Sequence, residues 1–244
     1  MKDEFYIGYL DRSPPGLSRR LRIFLGCGAL ILVVGVGLLA SRQAPAEPGR
    51  FDFGQTPEWE GILFETPLPR LQVLADGGPR QFLLVGAGKF GLPAFAQGHD
   101  GQRVRFRGTL IEQGPARMLE LNDPGSFAVV DESRTKPSAE VLLGTASLTG
   151  ELVDTKCYFG VMRPATGKVH RGCAVRCLSG GVPPGLLVRD ASGNGVVILL
   201  VGADGGPLQF NVQWAARLVR AEGDLELRDN LPILKVTRFT LLPD

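Results

Sequence analysis

Two kinds of hydrophobic pattern follow one another along the chain. The first is a single unbroken apolar run, Ile23 to Ala40 (IFLGCGALILVVGVGLLA), without one charged residue. Such a run is long enough to cross the hydrocarbon core of a bilayer as a helix. The second pattern begins after residue 50. There, short stretches alternate apolar and polar residues and are broken by Gly, Pro, Asn and Asp, which is the pattern of short β-strands joined by turns. RVRFRGTLI (103–111) alternates, turns at Gln113–Ala116 and continues as RMLEL; GDLEL (223–227) turns at RDNLP and continues as ILKVTRF. Each predicts a β-hairpin.

The strand pattern occurs twice. WEGILFET at Trp59, FLLVGAG at Phe82, VRFRGTLI at Val104 and MLEL at Met118 find counterparts in LTGELVDT at Leu148, ILLVGAD at Ile198, VRAEGDLE at Val219 and ILKV at Ile233. Val85 to Gly108 spans 23 residues and Val201 to Gly223 spans 22, while Gly108 to Leu119 and Gly223 to Leu234 both span 11. Order, residue type and spacing agree, so the segment is read as a duplication in which Gly108 matches Gly223. Small closed barrels suit such strands because closure removes exposed sheet edges. The opening Gly-x-Leu-Val-Asp strand and the spacing resemble the OB-fold. The resulting expectation is a mainly β protein with one N-terminal transmembrane helix and two tandem OB-like barrels. A β-sandwich built from both halves is the competing architecture. In boundaries, this gives a leader (1–22), transmembrane helix (23–40), linker (41–50), first barrel (51–132), second linker (133–145) and second barrel (146–244).

Charge gives the helix a direction. Lys2, Arg12, Arg19, Arg20 and Arg22 precede it, and only Arg42 and Arg50 follow closely. The positive-inside rule then keeps the N-terminus cytoplasmic and exports everything after Ser41, as in a single-pass protein of a bacterial inner membrane with periplasmic domains. The Ala-Pro-Ala at Ala44–Ala46 fits a signal-peptidase site, but the apolar run is longer than a signal h-region usually is. Phe5, Tyr6 and Tyr9 in the leader suit the headgroup interface or a partner subunit.

The repeats differ in one place. Gly61 to Val85 takes 24 residues and Gly150 to Val201 takes 51. The excess, an insertion at 156–184, carries three of the four cysteines and one of the two histidines in CYFGVMRPATGKVHRGCAVRC (157–177). A short helix is predicted from about His170 to Leu178, stopped by Gly180, Gly181 and Pro183–Pro184. His170, Cys173 and Cys177 then share one helical face, and Cys157 at the end of the preceding strand closes over it. Three thiols and an imidazole form a soft tetrahedral set suited to zinc or copper. Met162 is a weak copper ligand or simple packing. Two other readings remain open: a disulfide from Cys157 to Cys173 or Cys177, as an exported loop would favour, and a reactive thiol. No C-x-x-C-H is present, so covalent c-type haem is not expected.

Between Asp154 and Asp190 there is no acidic residue, whereas Lys156, Arg163, Lys168, Arg171, Arg176 and Arg189 are basic. These charges favour thiolate and suit contact with an anionic partner, with Lys156, Arg163, Lys168, Arg171 and Arg176 as the contact residues. Cys157, Tyr158, His170, Cys173, Ala174, Cys177, Gly181, Pro183 and Gly185–Leu187 form a Cys-Tyr…His-x2-Cys-Ala-x2-Cys…Gly-x-Pro motif. It resembles a motif of exported bacterial proteins of unassigned function, which implies an ordered site without naming its chemistry.

Enzymatic function finds no support: there is no G-x-S-x-G, and His99 in QGHDGQ reads as a turn residue. Arg103, Arg105 and Arg107 share a strand face, but aromatic residues for base stacking are sparse and the predicted topology leads away from nucleic acid. The net charge of +2 adds nothing in that direction. The expected role is an accessory subunit of a redox or respiratory membrane complex, with integral-membrane or periplasmic proteins as partners. The alternative is a metal- or cofactor-handling or thiol-redox protein built on Cys157, His170, Cys173 and Cys177.

Overall fold

A computed structural model describes residues 14–41, 49–75, 78–138 and 140–243, in two units, Met1–Ala46 and Glu47–Asp244. The described part of the first unit contains helix α1, Pro15–Ser41. It contains the predicted span and extends it backward through Arg19, Arg20 and Arg22. Pro15 opens it, where a missing N–H costs nothing. Its 27 residues reach about 40 Å at 1.5 Å per residue, and with an 18-residue stretch of mean hydropathy 2.7 it is long and apolar enough to cross a membrane. Phe5, Tyr6, Tyr9 and Ala44–Ala46 lie outside the described residues.

Among the described residues the second unit holds twelve strands: β1 (Arg50–Phe51), β2 (Glu58–Phe64), β3 (Arg70–Ala75), β4 (Gly78–Gly86), β5 (Arg103–Gln113), β6 (Ala116–Leu121), β7 (Ala128–Asp131), β8 (Val141–Asp154), β9 (Pro184–Arg189), β10 (Gly195–Gly202), β11 (Leu218–Arg228) and β12 (Leu231–Leu241). Ten of them close into two five-stranded barrels, and β1 and β7 each pair with β5. The first runs β2-β3-β4-β6-β5 and back to β2, with β4 and β6 parallel. The second runs β8-β9-β10-β12-β11 and back to β8, with β10 and β12 parallel. Both follow the order 1-2-3-5-4 of an OB-like barrel, as the duplication predicts; the sandwich alternative is excluded.

The repeat holds down to single residues. Gly108 pairs with Leu121 and Gly223 with Val236, the same offset along equivalent hairpins. Gly61 and Gly150 repeat a second role. A Cβ on Gly61 would lie 2.4 Å from the Gln72 carbonyl oxygen, and one on Gly150 would lie 2.5 Å from that of Leu187. In both barrels the first strand therefore bends against the second at a position only glycine allows. The predicted RDNLP turn is a two-residue loop with Asp229 and Asn230 at positive φ (48° and 69°), the geometry that matches strand twist in tight hairpins.

The connections between first and second strands separate the two copies. In the first barrel it is residues 65–69; in the second it is residues 155–183. This insertion forms a π-type turn over Cys157–Val161 and helix α2, Gly167–Ser179. The helix starts three residues before the predicted His170, because Glu151 of β8 accepts the Gly167 N–H at 2.6 Å, placing a carboxylate at the positive helix end. Thr155 donates to the Pro183 carbonyl at 2.8 Å and closes the neck of the insertion.

The insertion is not a loop beside the second barrel. Cys157, Phe159, Cys177 and Val182 share one core with Leu83, Val85, Ile111 and Met118 of the first barrel and with Leu199, Val201 and Ile233 of the second. The insertion thus fills the junction between the barrels. Two further clusters fill the barrels, one in the first and one in the second, the latter joined by Ala174 and Leu178 of α2.

Candidate functional site: a thiol cluster at the barrel junction

The four expected residues arrive from two elements. Cys157 opens the π-type turn directly after β8, and His170, Cys173 and Cys177 lie on α2. Cys157 Sγ is 3.7 Å from Cys173 Sγ and 4.0 Å from Cys177 Sγ. A ring nitrogen of His170 and the sulfurs of Cys157 and Cys173 lie within 4.8 Å of one another, as do Asp154, Cys157 and Cys177. Cys157, His170 and Cys177 are buried, and Cys173 is half-buried at the outer edge. All three thiols are free. The sulfur separations exceed the roughly 2.05 Å of a disulfide, so the expected staple is not formed. They match the roughly 3.8 Å between two sulfurs that share a tetrahedral ion at about 2.3 Å.

Asp154, the last residue of β8, organises the inner side. Its Oδ1 accepts the Cys157 N–H at 2.9 Å, and its Oδ2 lies 2.9 Å from His170 Nε2. With Nε2 engaged, Nδ1 is the imidazole nitrogen left for an ion, the arrangement in which a carboxylate braces a ligating histidine. On the outer side, Met162 Sδ is 3.4 Å from Cys173 Sγ.

The first barrel contributes a residue that the sequence reading missed. Lys89, in the loop after β4, places Nζ 2.7 Å from Cys173 Sγ and 3.8 Å from Cys177 Sγ. Donation to Cys173 raises the Lys89 ammonium above its ordinary range. The hydrogen-bonded contact with Cys177 drives the Cys157 thiol far upward, with burial and the nearby Asp154 carboxylate acting in the same direction. That same contact lowers Cys177, and Lys89 adds to the effect. The Lys89 loop sits against the end of α2: Gly91 donates to the Gly180 carbonyl at 2.9 Å, and a Cβ on Gly180 would lie 1.8 Å from the Lys89 carbonyl oxygen. No local motif marks Lys89, which stands 84 residues from Cys173. Asp154 had a signal: a carboxylate ending an apolar strand three residues before the first cysteine.

The expected anion-contact residues divide. Lys156 is corrected: it is buried, its Nζ donates to the carbonyls of Gly86 and Gly88 at 2.7 Å each, and it pairs with Glu120 at 2.5 Å. Its charge is consumed in joining the barrels, so it is closed to a partner. Arg163 donates to the Gly49 carbonyl at 3.2 Å. Lys168 and Arg176 are exposed on α2, and Arg171 is half-buried. His99 is held in a turn by Gln102 at 2.8 Å, away from the cluster.

Fold and site together define a mainly β protein of two OB-like barrels behind an apolar helix, with a Cys/His group able to hold a metal ion. Compared with protein-family models, curated proteins and solved structures, the chain matches none. The motif resemblance therefore gains no relative from these comparisons.

Proposed function

We propose that this protein is a membrane-tethered metal-handling factor that holds a soft ion, zinc or copper, between its two barrels. The observation that carries the reading is the convergence of Cys157, Cys173 and Cys177 at 3.7 and 4.0 Å, unbridged, with His170 beside them. Soft thiolates and an imidazole are the donors that zinc and copper take. The role is binding rather than catalysis. Export past α1 would set the site on the periplasmic face of a bacterial inner membrane, next to integral-membrane or periplasmic partners of a redox complex. The direction of α1 supports this through the basic residues ahead of it.

The test is reconstitution. Full-length protein in detergent, reduced and metal-free, is expected to bind one equivalent of Zn(II) or Cu(I) per chain, and Cys157→Ser with Cys173→Ser is expected to abolish it. A reduced chain that takes up neither ion would overturn the proposal.

A further inference from the structure

We infer that the ion is monovalent copper and that Met162 selects it. The inference rests on the metal-handling reading and narrows its ion. Met162 Sδ, Cys173 Sγ and Cys157 Sγ form a chain of sulfurs separated by 3.4 and 3.7 Å. Thioether joined to thiolate is a soft donor set that favours Cu(I). Met162 is 41% exposed, so its placement is not the work of core packing. It follows the π-type turn in extended backbone (φ −137°, ψ 154°), with its sulfur turned to the thiols.

The hard donors nearby are occupied. Both oxygens of Asp154 are engaged, one by the Cys157 N–H and the other by His170. Asp154 is fully buried and braces the histidine.

His170 remains available as a donor to either ion and does not discriminate; the Met162 thioether, a soft donor, does.

The test uses the full-length chain in detergent under anaerobic, reducing conditions, titrated with Cu(I) against a chromogenic Cu(I) chelator and with Zn(II) against a chromogenic zinc chelator. Wild type and Met162→Leu are compared; the position is exposed, so the variant keeps the fold, and a melting curve checks this. The expected result is one Cu(I) per chain, held more tightly than Zn(II). Met162→Leu should weaken Cu(I) by at least about tenfold, the lower end of the loss when even an outer-shell partner of a metal ligand is removed, and leave Zn(II) within about twofold. Unchanged Cu(I) affinity in Met162→Leu, equal loss of both ions, or a preference for Zn(II) would each overturn the copper assignment while leaving the metal-handling reading intact. Uptake of neither ion would overturn both.

Discussion

Asp154 shows how much one carboxylate decides. It is buried at the end of β8, holds the Cys157 N–H with one oxygen and His170 Nε2 with the other, and so sets both the turn and the tautomer. Asp154→Asn retains an acceptor for Cys157 but presents an amide N–H to Nε2. That nitrogen must then accept, the ring proton moves to Nδ1, and the lone pair aimed at an ion is lost. Metal affinity is expected to fall about 10- to 100-fold, as for other outer-shell partners of ligating histidines. Competition titration against the same chelators checks it; an unchanged affinity would show that His170 takes no part.

At the scale of elements, the barrels depend on repeated close approaches. Gly61 and Gly150 sit where the first strand of each barrel bends across the second, with no space for a methyl group. Gly150→Ala must push back the Leu187 backbone, which belongs to the strand that leaves the insertion. A cost of about 1–3 kcal/mol is expected, in the range of overpacking a closed core. Denaturant unfolding measures it, and a loss below about 0.5 kcal/mol, ordinary for a surface substitution, would contradict the assigned role. The same bend is coupled to the site, since β8 runs from Gly150 through Glu151, which caps α2, to Asp154.

Across the whole molecule, Lys156 and the shared core make two barrels act as one. Lys156 runs from the insertion of the second barrel to the carbonyls of Gly86 and Gly88 and to Glu120 in the first. Those carbonyls begin the loop that carries Lys89 to the thiols. Lys156→Met leaves Glu120 and two carbonyls without their cation, and removing one partner of such a buried pair costs about 3–5 kcal/mol. Calorimetry is expected to show a lower melting temperature, with hydrogen exchange in residues 86–91 accelerated. An unshifted transition would show that apolar packing alone joins the barrels.

The apolar run, the strand periods, the duplication and the gathering of cysteines at its one interruption were all written locally, in patterns of two, three or four residues and in equal spacings. These determined one membrane-type helix, two like barrels and the residues Cys157, His170, Cys173 and Cys177. The start of α2 escaped because its cap, Glu151, comes from another element. Lys156 read as a surface charge because the carbonyls it donates to stand 68 and 70 residues away, and its counter-ion Glu120 also lies in the first barrel. Lys89 carried no signal at all, lying 84 residues from the thiol it touches. Local sequence encodes which residues share a face, whereas burial and charge pairing depend on which surfaces meet. Only the packing of the insertion between the two barrels decided that the thiols sit at a junction, with a lysine of the first barrel above them.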